Sequence, residues 1–232
     1  PEFQGNHSNE LMFNYRGIAS VFKWLDVNLS TMFQYEKSEN GGASSGNLGL
    51  LPYELLVNED GSMNDISRYN MPLIDRKVPK ELFPYSDWGY YPLKEIENQS
   101  FTRTHLNARL QAGLTFKLLE GLSVDSRIQY ETFNGRNKNL YREESFYVRS
   151  RVNGAASWDQ NTDKITLNLP KGGMLEQDRS EVVSWNFRNQ INFARTFAHK
   201  HDINLVAGTE VRDRISQSFS YPTTYGYDDD KL

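Results

Sequence analysis

Cysteine is absent from all 232 residues, which excludes a disulfide framework and any thiolate-held metal centre but leaves the compartment open. Long apolar runs are missing as well. No stretch approaches the roughly 18 consecutive apolar residues of a transmembrane helix. An excess of positive charge is also missing. Lys and Arg number 26 against 30 Asp and Glu, and the net charge of −4 argues against a nucleic-acid partner. Histidine occurs only as His7, His105, His199 and His201, and the last two flank Lys200 in a turn, where solvated turn residues are the plain reading rather than metal ligands. The glycine-rich string Gly41-Gly42-Ala43-Ser44-Ser45-Gly46 lacks the lysine and following helix of a phosphate loop. Asn58-Glu59-Asp60-Gly61-Ser62 with Asp65 lacks the closing glutamate of a calcium loop. Asp228-Asp229-Asp230 reads as a solvated run of loop charge. No catalytic constellation emerges, so the expectation is a protein that is not an enzyme and uses no cofactor or metal. Pro1 to Gly5 shows neither a basic nor an apolar leader segment, and both ends read as cut: a removed signal peptide or an internal piece of a longer chain.

What is present is alternation of period two. From Leu106 every second residue is apolar: Leu106, Ala108, Leu110, Ala112, Leu114, Phe116. Between them lie His105, Asn107, Arg109, Gln111, Gly113, Thr115 and Lys117, none with an apolar side chain. A helix, of period 3.6, would mix the two sets. After the glycine-ended Leu118-Leu119-Glu120-Gly121 the alternation resumes with Leu122, Val124, Ile128 and Tyr130 against Ser123, Asp125, Arg127, Gln129 and Glu131. Ser126 is the weak position on the apolar side. The stretch predicts an antiparallel hairpin with one apolar and one polar face. The same pattern recurs on both sides of it. Leu11, Phe13, Tyr15, Ala19 and Val21 precede Val27, Leu29, Thr31, Phe33 and Tyr35, and Trp185, Phe187, Ile191 and Phe193 precede Ile203, Leu205, Ala207, Thr209, Val211 and Ile215. Six long antiparallel strands are predicted, near 10–22, 26–36, 101–118, 121–133, 182–198 and 202–220. Between them lie two long connections, about 36–100 and 134–181, the second holding a short strand-like run from Lys164 to Leu169. Short turns fall at one end and long loops at the other, which is the plan of a transmembrane β-barrel.

Two environments can cover the apolar faces, a second sheet as in a sandwich or lipid. Strand length favours lipid, because a tilted strand needs about 9–11 residues to cross a bilayer. So does placement of aromatics at two levels, Tyr35, Tyr130 and Trp185 near the long loops and Trp24, Phe116 and Phe197 near the short turns. The mean hydropathy of −0.69 is compatible, since alternation and polar loops dilute the apolar signal. On this reading Leu106, Leu110, Leu114, Val124, Ile128, Phe187, Ile191, Leu205 and Val211 face lipid. Six strands with open edges do not close a barrel, so more strands are required from the rest of a longer chain or from other chains.

Several strings carry a family likeness. Leu51-Pro52-Tyr53-Glu54-Leu55-Leu56-Val57-Asn58-Glu59-Asp60-Gly61-Ser62, Phe83-Pro84-Tyr85-Ser86-Asp87-Trp88-Gly89-Tyr90 and His105-Leu106-Asn107-Ala108-Arg109-Leu110 resemble segments of the SusC/RagA family of TonB-dependent outer-membrane transporters. Ser184-Trp185-Asn186-Phe187-Arg188-Asn189-Gln190-Ile191-Asn192-Phe193 and Tyr225-Gly226-Tyr227-Asp228-Asp229 resemble it too. The resemblance implies that residues 1–232 are part of a barrel domain in the outer membrane of a Gram-negative bacterium, with the plug and remaining strands outside the chain. It also implies import of oligosaccharides or peptides, with a SusD-like surface lipoprotein and the TonB complex as partners. Two other readings stay open: a soluble all-β carbohydrate-binding module and a passive porin-type barrel.

The candidate site follows from the polar face. Asn107, Arg109, Gln111, Arg127, Asn186, Arg188, Glu210 and Arg212 are expected to line the barrel interior, either bonding a plug or offering a polar path to substrate. In the first long connection Trp88, Tyr90 and Tyr91 have faces suited to stacking on sugar rings, to packing the loop or to meeting a partner lipoprotein.

Overall fold

The computed structural model describes residues 6–41, 53–67, 78–198 and 201–228. The segment 42–46 of the glycine-rich string, His199, and Asp229 and Asp230 of the acidic run lie outside the described residues.

Six long strands form one antiparallel sheet in which each pairs with its neighbours in the chain. They are β1 (His7–Phe22), β2 (Leu25–Gly41), β3 (Gln99–Leu119), β4 (Leu122–Tyr141), β7 (Gly173–Phe197) and β8 (His201–Ser220), in the order β1-β2-β3-β4-β7-β8. A short β9 (Thr224–Tyr227) pairs with the far end of β7, and β5 (Ser157–Asp159) with β6 (Lys164–Thr166) makes a separate small hairpin. Lys23-Trp24 joins β1 to β2, and Glu120-Gly121 joins β3 to β4. Gly121 has φ +80°, and a Cβ there would lie 2.2 Å from the Ala194 carbonyl oxygen. Its own carbonyl accepts from Ala194 N–H at 2.7 Å, so both backbone conformation and the closeness of β7 demand glycine.

The strands run further than the alternation predicts. β2 continues to Gly41, β4 to Tyr141, and β7 begins at Gly173 rather than near 182. The extension of β2, Glu36-Lys37-Ser38-Glu39-Asn40, is polar on both faces, and in β4 and β7 a polar stretch separates the apolar face from Leu140, Tyr141, Met174 and Leu175 at the far ends, so the apolar period is interrupted while the backbone ladder goes on. Ladder hydrogen bonds need no apolar side chains. Both long connections carry a helix among the described residues. The first ends in a short helix α1 (Pro92–Glu97), opened by proline at its first position, where no N–H partner is lost. The second carries helix α2 (Phe146–Ala155), capped by Ser145, whose hydroxyl accepts from Val148 N–H at 3.3 Å. The predicted strand-like run from Lys164 is β6, which covers Lys164–Thr166.

Register places all six apolar sets on the same side. One cross-strand row reads Gly17, Leu29, Ala112, Ile128, Phe187, Val211, and the next reads Tyr15, Thr31, Leu110, Tyr130, Trp185, Asp213. Among the described residues no second layer covers this face: Leu110, Ile128, Ile191 and Val211 are all more than half exposed. Buried apolar packing is concentrated instead at the long-loop end. There Val148, Val152 and Met174 form a cluster, with Tyr85, Tyr141, Tyr147, Leu169 and Tyr225 against it. Met174 and Tyr141 are register partners on the polar side of the sheet, so this lobe leans over the end of the polar face.

Candidate functional site

The polar face is a ladder of hydrogen-bonding side chains. All eight residues expected there, Asn107, Arg109, Gln111, Arg127, Asn186, Arg188, Glu210 and Arg212, fall on it in four neighbouring register rows. Arg109 makes a two-pronged contact with Glu131, Nε to Oε2 at 3.3 Å and Nη2 to Oε1 at 3.1 Å. Gln129 donates to the same carboxylate at 3.3 Å, and Asn186 Nδ2 donates to Glu210 Oε1. Arg188 donates to Gln190 at 2.6 Å, and Asn192 donates to Asp125 at 2.6 Å. Gln111 shares a row with Gln129, Asn186 and Arg212. The Asn107 Oδ1 is buried and has no donor among the described residues.

Arg127 sits directly opposite Arg188 in the register, an unfavourable pairing of like charges unless an anionic group approaches. The face therefore presents donors and acceptors in alternation with a local positive excess. Such a surface suits a polar chain rich in carbonyl, amide or hydroxyl groups. It holds no group of three or more metal-binding side chains, among the described residues.

Glu131, Asp125, Gln190 and Asn192 complete the ladder. Their signal was in the alternation itself, since each lies on the polar side of its strand.

The loop lobe is built around α2. Arg149, only 5% exposed, donates to the carbonyls of Asp87 at 2.6 Å, Gly89 at 2.9 Å and Glu144 at 3.1 Å, and pairs with the Asp87 carboxylate at 3.0 Å. One turn later Asn153 clasps the backbone of Tyr85, donating to its carbonyl at 2.8 Å and accepting from its N–H at 3.0 Å. The two side chains are four apart, so they share one helix face and grip a segment of extended chain together. The buried Glu95 of α1 accepts from the Phe146 N–H at the start of α2, where the helix dipole favours an anion, and from Gln99 at 2.6 Å. Tyr141 and Tyr147 stack at 4.0 Å, and the Tyr147 hydroxyl donates to Glu176 at 2.7 Å. Burial, reinforced by Glu176, raises the Tyr147 hydroxyl well above the ordinary phenol range. Burial likewise pushes Tyr85 up to about 12, with Glu143 and Glu144 adding to it against a hydrogen bond from Gly172. Burial pushes Asp65 upward too, but hydrogen bonds from Ser67 and the Tyr90 N–H, with Arg149 nearby, outweigh it and hold this carboxyl below its usual value.

The three expected loop aromatics all have partners inside this lobe. Trp88 meets Phe83 edge to face at 5.3 Å, and Tyr90 meets Phe146 at 5.2 Å. Tyr91 lies under the Lys94 ammonium at 4.4 Å. None of α2's contacts was anticipated, although Ser145 as a cap and the Val148/Val152 spacing mark the helix in the sequence.

No family model matches the sequence. No curated protein matches it either. Among solved structures, the RagAB peptide transporter is similar, with a TM-score of 0.60 over 97% of this chain at 12% identity. The chain spans 22% of the length of the chain it matches. At that identity the likeness is one of fold: a sheet of long antiparallel strands of the kind found in that transporter.

Proposed function

We propose that this chain is one wall of an outer-membrane β-barrel that imports peptides or oligosaccharides, and that its role is passage rather than catalysis. The observation that carries this reading is the apolar face, continuous across six strands and uncovered among the described residues, set against a hydrogen-bonded polar face. Lipid is the solvent that suits the first, and a wet interior the second.

The margin of the apolar face supports a tilted sheet in a bilayer. On β2 the first charged residue of that face toward the long loops is Lys37, and on β8 it is Asp213. By register Asp213 is level with Thr31 of β2, a slip of six residues (37 − 31) over the four steps from β2 to β8. The opposite margin slips the same way. Leu25 ends the run on β2, level with Ala207, while β8 stays apolar four residues further to Ile203. Averaged over the four steps the slip is about 5 Å per strand, of the order expected for barrel strands tilted at about 35–45°. It is uneven, since Arg136 on β4 is level with Lys37 and Glu181 on β7 is level with Tyr35, and most of it falls between β7 and β8. Stacked Phe22, Trp24 and Phe116 lie at the short-turn margin, in keeping with an interfacial aromatic girdle.

The substrate class rests on the likeness to a peptide transporter and on the SusC/RagA resemblance, which also underlies the SusD-like lipoprotein and the TonB complex as partners. Residues Asn107 to Arg212 of the ladder are then the polar path, and the lobe on α2 sits at its outer mouth. The test is size-exclusion chromatography with light scattering on residues 1–232 without detergent. Open edges and an uncovered apolar face predict association into large species. A monodisperse, cooperatively unfolding monomer would overturn the membrane reading and restore a soluble binding module.

A further inference from the structure

The apolar face does not fade evenly into the loops. Directly beyond its long-loop margin, on the same side of the sheet, lie Lys37, Arg136, Lys138 and Arg179. Lys37, Thr104, Arg136 and Arg179 occupy one register row, and Thr102 and Lys138 share the next but one. Two acids share this margin: Glu39 pairs with Lys37, and Glu181 pairs with Arg179. Asp178, whose carboxylate accepts from Asn137 at 2.7 Å, also lines the cleft that these side chains form, so four cations stand against three anions and one positive charge is in excess. Arg136 is exposed and has no partner among the described residues. The Nε of Arg179 is buried and has no acceptor among them. The Lys138 ammonium lies 5.6 Å over the Tyr227 ring, which leaves its charge unneutralised. Thr102, Thr104, Arg136, Lys138, Arg179 and Tyr221 line a cleft of about 410 Å³.

We propose that this cleft binds the phosphorylated headgroup of a membrane lipid, whose acyl chains run down the apolar face over Leu106, Thr132, Val183 and Trp185. The proposal rests on the membrane reading above. Depth supports it. Arg136 lies 14 residues (136 − 122) beyond Leu122, the apolar margin of β4 at the short turns. At about 3.3 Å per residue and a tilt of about 45°, that is about 33 Å of height. An apolar band of about 25 Å leaves Arg136 about 8 Å above it, at headgroup level. Longer side chains such as Lys138 reach the same plane by bending toward the surface. Two threonine hydroxyls beside free guanidinium and ammonium groups are the donors that a phosphate ester takes. A protein partner seated on the loops would meet the lobe over the polar face, whereas this cleft opens on the side that continues into the apolar band.

The experiment uses the full-length barrel protein in detergent. A bis-phosphorylated glucosamine-disaccharide lipid, its dephosphorylated counterpart and inorganic phosphate are each titrated in, and the lipid-bound fraction is read by native mass spectrometry. At about fivefold per basic residue near an anionic headgroup, removing all three of Arg136, Lys138 and Arg179 weakens binding by about 125-fold. The variant Arg136→Gln/Lys138→Gln/Arg179→Gln should show that loss for the phosphorylated lipid, and Arg136→Gln alone about fivefold. Arg195→Gln, near the short turns, should change nothing. The dephosphorylated lipid should bind wild type no better than the phosphorylated lipid binds the triple variant. Equal binding of the phosphorylated lipid to wild type and triple variant overturns the proposal, and so does inorganic phosphate displacing the lipid at equimolar concentration. Heat-modifiable electrophoretic mobility is followed in parallel: a protein that shows none has failed as a barrel, which refutes the membrane reading independently of the cleft. Because Arg136 is exposed and unpaired, its single replacement keeps the test valid where the triple variant folds poorly.

Discussion

Replacing Arg149 by methionine should free the segment around residues 85–91 while leaving the sheet intact. Methionine keeps the length and apolar stem and removes the guanidinium. Of the three carbonyls that Arg149 serves, that of Gly89 is on a buried residue and those of Asp87 and Glu144 are on exposed ones. An unsatisfied buried carbonyl costs about 1–3 kcal/mol, and each exposed one, rehydrated, about 0.5–1 kcal/mol. The Asp87 carboxylate is 44% exposed, so the ion pair adds little once solvent screening is allowed for. The sum is about 2–5 kcal/mol of local stability, or a roughly 30- to 4000-fold faster opening at about 1.4 kcal/mol per decade. Hydrogen exchange on the full-length barrel in detergent reads it directly. The amides of Tyr85, Gly89 and Tyr90, bonded to Asn153, Asp87 and Asp65, should lose that much protection. Amides at Gln111 and Gln129, in the middle of the β3–β4 ladder, should not change. Arg149→Lys should rescue poorly, because a single ammonium cannot span the carbonyls of Asp87 and Gly89 together. Unchanged protection at Tyr90 in Arg149→Met, or equal losses at Gln111, would refute the reasoning.

Two further outcomes follow from the same contacts. Leu110→Arg, at mid-height on the apolar face, should cost about 2–4 kcal/mol in urea unfolding from vesicles, while Gln111→Arg on the polar side should cost less than about 1 kcal/mol. In the lobe, Tyr85 is held protonated up to about 12 against an ordinary value near 10. A raised pKa stabilises the fold fully below about pH 10, and that contribution is lost as pH rises through about 12. Ultraviolet titration should therefore show late-ionising tyrosines, one fewer in Tyr85→Phe with that of Tyr147 remaining, and α2 exchange rising over that window.

Much of the sheet is readable because one physical rule governs it. Wherever one side of a strand meets an apolar environment and the other a polar one, residues such as Leu110 and Gln111 must alternate, and the alternation fixes strand, face and register together. The eight ladder residues were legible for the same reason. Beyond Tyr35 both sides of β2 are polar, and in the far ends of β4 and β7 the apolar residues Leu140, Tyr141, Met174 and Leu175 stand side by side rather than alternating, so these ends leave no period-two pattern even though their backbones stay paired. The lobe was hidden differently. Arg149, Asn153 and Glu95 are polar side chains, and their burial becomes visible only when backbone carbonyls and N–H groups from 60 or so residues away are brought against them. A short helix with four buried residues, two of them polar, offers little periodicity to read.

The central claim is that the two faces of this sheet lie in different solvents. Nitroxide labels placed singly at Leu110, Ile128, Phe187 and Val211, and at Gln111, Gln129 and Arg212, in the full-length barrel reconstituted into bilayers, test it most directly. Oxygen concentrates in hydrocarbon and a polar nickel chelate in water. Oxygen-dominated relaxation is expected at the first four sites and chelate-dominated relaxation at the other three. Chelate-dominated relaxation at Leu110 and Val211 would contradict it.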